Sequence, residues 1–270
     1  MKKSNRLIPF LSYCLTVFIF ILGFQVKLQA QAQAQDRSVS SWQFRHVPND
    51  KIDEFIKRET TYWSKVAQKA VDNKTMTFWA LFEKVGGYDL PNSSNYLFIN
   101  TFPDIDKAGS IWSDVESIAG VKIGDMEDYS FTTVTSEFFV KDREWVQSAK
   151  AVPGKDFNYV IMNYQNTNYQ DSLIGLEKKY WEPFIKGAMD KGQTKQVAWG
   201  NAVVLAPRGE NIKTTTVSYD LYKTLGDALL QNWDPKTVFP TKLFSLLTKI
   251  QVNRPGIVIY RVVKVISATP

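Results

Sequence analysis

Cysteine and histidine are almost missing from this 270-residue chain: Cys14 and His46 are the only examples of each. Without a second thiol the chain can form no internal disulfide. A zinc cluster or a Ser-His-Asp triad would have to pass through His46. No Gly-x-Gly-x-x-Gly, Walker loop or nucleophile elbow occurs, so no metal site and no cofactor is expected. Basic blocks are missing too. Of 33 Lys and Arg residues, Lys2, Lys3, Arg6 and Lys27 precede residue 35, where no acid stands, which leaves 29 basic against 27 acidic residues. That balance argues against nucleic acid or an anionic membrane surface as partner.

Those early cations introduce the first feature that is present. Lys2, Lys3 and Arg6 precede the apolar run Leu7 to Phe24, and a polar, Ala-rich stretch follows to Gln35. This is the layout of a secretory signal peptide, with Ala30-Gln31-Ala32 or Ala32-Gln33-Ala34 as cleavage site. Its 18 apolar residues lie near the lower limit for a membrane span, but the flanks favour a cleaved signal. Tyr13 before Cys14 is too large for a lipoprotein signal. The expectation is an exported protein, periplasmic or secreted, with no membrane association after cleavage. Cys14 leaves with the leader, so stability must come from a packed core.

The second feature is a helix written twice. Glu59, Tyr62 and Trp63 recur as Glu177, Tyr180 and Trp181, each 118 positions on, and Asp53, Ile56, Ala70 and Asp72 fall on Asp171, Ile174, Ala188 and Asp190 at the same offset. Removing 34 residues leaves 236, whose half is again 118. The expected division is a signal at 1–34, a first repeat at 35–150 and a second at 151–270. Ile52, Phe55, Ile56, Trp63, Val66 and Ala70 repeat at helical spacing, as do Leu173, Ile174, Trp181, Phe184 and Ala188. At about 100° per residue, Glu59 and Glu177 fall in the middle of these apolar stripes. A carboxylate aimed at a core needs a hydrogen-bond partner or a ligand.

Around these helices the chain reads as strand Ser41 to Val47, helix Ile52 to Asp72, strands Thr75 to Val85 and Tyr96 to Phe102, helices from Asp104 and Asp125, and strand Glu144 to Ala149. The second half follows with strand Phe157 to Gln165, helix Gln170 to Asp190, strands Gln196 to Leu205 and Lys213 to Tyr219, helices Tyr222 to Gln231 and Thr241 to Ile250, and strand Ile257 to Ile266. The loops 86–95 and 207–212 read as hairpin turns. Thr132-Thr133-Val134-Thr135 favours strand locally, but the position of the Thr241 to Ile250 helix lifts segment 125–137 towards helix. Each half is β-α-β-β-α-β, the ferredoxin-like order, and two such sheets can bury their bare faces against each other.

This order, the Tyr-Trp pair in the first helix and the Gly-containing hairpin resemble the dimeric α/β-barrel superfamily. The chain also resembles exported tandem proteins of Bacteroidetes type, whose leaders end in Gln-Ala repeats. The resemblance implies an α+β chain of two ferredoxin-like repeats forming a pseudo-dimeric α/β barrel. The superfamily includes cofactor-free monooxygenases and haem degraders. The latter use a helix histidine, whereas His46 reads as a strand residue, so no haem ligand is carried over.

Candidate site residues follow from the repeat. His46 and its counterpart Tyr164 precede the helices that carry Glu59 and Glu177. If that strand face meets the helix, each half has a titratable or phenolic group near an inward carboxylate, suited either to proton abstraction or to mutual satisfaction of buried groups. Tyr62, Trp63, Trp79, Tyr180, Trp181 and Trp199 either fill the core or line a pocket for a small apolar or aromatic molecule. Three functions fit: a binder of such a molecule, a cofactor-independent monooxygenase-like enzyme, or a structural protein with filled cores.

Overall fold

The computed structural model describes residues 38–86, 93–148, 151–209 and 212–268. The leader expected at 1–34 and parts of both hairpin loops, 87–92 and 210–211, lie outside the described residues. Eight antiparallel strands, β1 (Val39–His46), β2 (Phe78–Lys84), β3 (Tyr96–Phe102), β4 (Thr133–Gln147), β5 (Tyr159–Asn166), β6 (Gln196–Ala206), β7 (Thr216–Tyr222) and β8 (Asn253–Ser267), close into one barrel. Around it the order is β4-β1-β3-β2 followed by β8-β5-β7-β6, so the two halves contribute their strands in the same arrangement. This is the pseudo-dimeric α/β barrel of two ferredoxin-like halves.

Strand alternation explains the layers. On β1, Trp42 and Phe44 point into the barrel, where they meet Phe82, Leu97, Met162, Tyr164 and Tyr260 in one apolar cluster. Gln43 and Arg45 point the other way, towards helix α1 (residues 52–72). Outside the barrel, Phe55, Ala67, Ala70 and Val71 of α1 pack on Trp79, Leu81, Tyr96 and Phe98. In the second half, Ile185 and Met189 of α4 (residues 170–190) cover Trp199.

The two long strands, β4 and β8, join the halves. β4 pairs with β1 through Thr133 to Val140 and with β6 through Phe139 to Gln147. β8 likewise pairs with β5 and, from Tyr260 to Ser267, with β2. This double duty corrects the expected helix over 125–137. Helix α3 covers Ile123–Met126 and Thr133 already belongs to β4, because a strand that must reach two partners needs the length, and the Thr-rich run supplies the β propensity. The helix expected from Asp104 is also broken. A 3-10 turn at Ile105–Trp112 precedes α2 (Val115–Ala119), with Asp114 left-handed at φ 60° between them.

Both repeated helices widen at the same place. A π turn occupies Glu59–Trp63 in α1 and Glu177–Trp181 in α4. Each begins at the inward glutamate, and such turns occur often at functional sites.

The junction of the halves has its own lock. Gly200 on β6 stands opposite Tyr219 on β7. The Tyr219 hydroxyl donates to Asp142 Oδ1 on β4 at 3.1 Å, and Asp142 Oδ2 accepts from Ser40 Oγ on β1 at 3.2 Å. A Cβ at position 200 would lie 2.5 Å from the Tyr219 ring, which is also held beside Trp145 at 6.0 Å between centroids. Gly200→Ala is expected to destabilise the protein by about 1 to 3 kcal/mol through overpacking. Urea denaturation checks this, and an unchanged midpoint would refute it.

Candidate functional site

Both repeated glutamates point inward, with Glu59 at 3% and Glu177 at 6% exposure. Their surroundings differ. Glu177 is met by amide donors: Asn201 Nδ2 reaches Oε2 at 2.7 Å and Gln165 Nε2 reaches Oε1 at 3.3 Å. Burial still raises its pKa, and the two amides oppose the rise.

Glu59 is met by another acid. Burial first, then the hydrogen bond to Asp128 and its negative charge, push the Glu59 carboxyl well above the usual carboxylate range. The Arg45 charge opposes this only in part. Asp128 Oδ1 accepts from Arg45 Nη1 at 2.7 Å, while its buried Oδ2 has no hydrogen-bond partner in the protein. These surroundings therefore favour the neutral, protonated form of Glu59.

Arg45 is fixed on every side. Its Nε donates to Gln43 Oε1 at 2.6 Å and its Nη2 to the Tyr129 hydroxyl at 3.0 Å. The guanidinium carbon lies 4.7 Å from the Phe98 ring centroid and 4.5 Å from that of Tyr129. Removing such a group would leave several partners unpaired.

These groups form one wall of a cavity of about 720 Å³ between α1 and the sheet of the first half. That is a size suited to a small organic molecule. Ser41, Gln43, Asn100 and Glu137 continue the polar wall, and Ser41 Oγ donates to Glu137 Oε1 at 2.8 Å. The rest is apolar: Trp63, Val66, Met76, Trp79, Phe98, Phe102, Ile105 and Ile111. Trp112, Ile123, Tyr129 and Phe139 are exposed at its rim.

The sequence-derived candidates separate accordingly. Glu59, Trp63 and Trp79 come together in the cavity. Trp63 is anchored by its Nε1, which donates to Met126 O at 2.8 Å. The expected pairing of His46 with Glu59 and of Tyr164 with Glu177 does not form, because the strand face that meets the helix is the other one. His46 Nδ1 sits 2.9 Å from Ser93 O at the strand end. Tyr164 lies inside the barrel, its hydroxyl 3.4 Å from that of Tyr260. The cavity thus presents no imidazole to a haem iron. Tyr62 packs on Val66 and Met126, Tyr180 and Trp181 beside Leu243 and Leu247, and Trp199 under Ile185.

Sequence reasoning missed Arg45, Gln43, Asp128, Tyr129 and Glu137. A charged residue alternating with Trp42 and Phe44 in a strand was the available signal for Arg45. Asp128 had none, since it lies in a loop and the residue 118 positions on is Leu246.

No family model matches the sequence, and no curated protein matches it. Among solved structures, the chain is similar to a candidate monooxygenase from Lactobacillus acidophilus, with TM-score 0.55 and 8% identity over 86% of this chain and 97% of the other. An anthrone oxidase-like protein gives TM-score 0.53 and 15% identity over 88% and 96%. A candidate monooxygenase from Fusobacterium nucleatum gives TM-score 0.51 and 8% identity over 85% and 94%. At these identities the likeness concerns the fold.

A carboxyl on β7 has a readable pH signature. Asp220 on β7 accepts from Asn163 Nδ2 at 2.8 Å and Gln196 Nε2 at 2.7 Å, yet burial raises its pKa to about 6. The folded state thus holds this proton more tightly than the unfolded chain, where Asp titrates near about 3.9. Asp220 favours folding below about pH 4, and that contribution is lost as pH rises through about 6. Asp220→Asn is expected to flatten the fall in stability across that window, as read by urea denaturation at several pH values. An unchanged slope would count against it.

Proposed function

We propose that the protein is an exported binder of a small apolar or aromatic molecule, held in the cavity between α1 and the sheet of the first half. The observation that carries this reading is the cavity itself, about 720 Å³, apolar on most sides and ending at a fixed Arg45-Asp128-Glu59 group. A pocket with a few convergent polar groups and a perturbed carboxyl is the ordinary form of a ligand site. Export rests on the leader, and the likeness to exported tandem proteins of Bacteroidetes type rests on its Gln-Ala ending and the 118-residue register, with repeats at 35–150 and 151–270.

Native mass spectrometry of the protein purified from its own host is expected to show a retained small molecule released on denaturation. The same spectrum should read a chain lacking the first 32 or 34 residues, as the two cleavage sites require. A ligand-free, full-length chain would refute both parts.

A second reading has its own support. Glu59 stands on the cavity wall with its carboxyl raised above the usual range, and in its ionised form it would be a stronger base towards an acidic, phenol-like substrate than an ordinary carboxylate. The monooxygenase names of similar structures agree with a cofactor-independent oxygenase. In that case the purified protein should consume dioxygen with an anthrone as probe substrate, without added metal or flavin. Glu59→Gln should abolish uptake and leave the melting temperature nearly unchanged. Equal uptake by the variant would remove Glu59 from the chemistry.

A further inference from the structure

The polar wall of the cavity carries more acid than base, and its one base is already engaged. Glu59, Asp128 and Glu137 line it against the single guanidinium of Arg45. All three guanidinium nitrogens of Arg45 donate within the protein, to Gln43, Asp128 and Tyr129. No cationic lining group is left to receive an anion. Asp128, 1% exposed, keeps Oδ2 without any hydrogen-bond partner, and Glu59 lines the same cavity wall. Trp63 and Trp79 also line the cavity, and aromatic rings attract positive charge.

We propose that the cavity takes an organic cation, an apolar or aromatic amine whose ammonium group replaces the proton held between Glu59 and Asp128; this rests on the reading of the cavity as a ligand site. Within the group Arg45, Asp128 and Glu59 the charges balance in both states, while Glu137 keeps its hydrogen bond from Ser41 throughout. With its proton, Glu59 is neutral and the charges of Arg45 and Asp128 cancel. When the ammonium enters, the carboxyl-carboxyl hydrogen bond breaks, the Glu59 proton leaves to solvent, and the resulting single negative charge is matched by the ligand. The ammonium then donates to Asp128 Oδ2 and to Glu59, while the apolar body lies along Trp63 and Trp79.

The remaining groups around Glu59 do not upset this exchange. β1 presents Arg45, the loop after α3 presents Asp128 and Tyr129, and β4 presents Glu137. β2 and β3 present Trp79, Phe98 and Asn100, all uncharged. Arg58, on α1 itself, is turned to the Glu127 carbonyl and to Glu54. A carboxylate ligand would face three acids and one guanidinium whose charge is already paired with Asp128. An alcohol could satisfy Asp128 Oδ2 but would gain nothing from the acid excess.

Calorimetry on the full protein at neutral pH, with three probes that share one ring, tests this: 2-naphthylmethylammonium, 2-naphthylmethanol and 2-naphthoate. The ammonium is expected to bind more tightly than the alcohol by on the order of tenfold, and the carboxylate not at all. Titrations in buffers of different ionisation enthalpy should show proton release with the cation alone. Glu59→Gln should remove both the cation's advantage over the alcohol and the released proton. The wild-type proton count tests the exchange even where that variant does not fold. An alcohol or carboxylate that matches the cation, or a cation bound without proton release, overturns the proposal while leaving a ligand site in place. No binding of any probe, together with an empty protein from the host, overturns the ligand site itself.

Discussion

The structure depends on burying two bare sheet faces without any covalent help. Each ferredoxin-like half covers one face of its sheet with helices and leaves the other open, and with no disulfide available the two open faces must bury each other. Barrel closure does this. Trp42 and Phe44 of the first half meet Met162, Tyr164 and Tyr260 of the second inside one apolar cluster. Because strands alternate, filling the interior with these residues sends Gln43, Arg45, Asn163 and Gln165 to the helix side. The buried charged groups Arg45, Glu59, Asp128 and Glu177 therefore lie in the layers between helix and sheet, where donors and acceptors from two kinds of element can meet.

The joints between halves obey the same constraint. β4 and β8 are 15 residues each because each must pair within its own half and then across to the other. At one joint Asp142, Tyr219 and Ser40 bring β4, β7 and β1 into a single hydrogen-bonded group. Where Tyr219 lies over β6, the position beneath it is Gly200, which leaves room for the ring.

What the sequence disclosed follows from which signals are periodic. The inward glutamates, the strand-helix openings and the ferredoxin-like order were legible because apolar spacing and a fixed 118-residue offset both report them. The side of β1 that meets the helix was not, since each face of Ser41 to Val47 carries apolar groups. Only closure decides that Trp42 and Phe44 go inside, taking Tyr164 with them and leaving His46 at the strand end. The π turns were hidden for a related reason: the surrounding residues keep helical spacing, so one widened turn leaves the apolar pattern readable as ordinary α-helix. The strand at Thr133 was announced by its own β-branched residues and obscured by analogy with the second half. Asp128 and Tyr129 are loop residues, and neither periodicity nor offset reports on a loop.

The two halves show how one helix position acquires two chemistries. Glu59 and Glu177 open equivalent π turns and are almost equally buried, so burial penalises their charged forms alike. The difference comes from what faces them. Asn201 and Gln165 can only donate to Glu177 through their amide nitrogens, and each such bond favours the ionised form. Asp128 can only accept while Arg45 holds its charge, so Glu59 completes that contact by keeping a proton. The helix thus sets where a carboxyl is buried, and the strands and loops set whether it is an anchored anion or a held proton. The cavity lies beside the glutamate whose partner is an acid, and that combination is what gives the first half its chemical capacity.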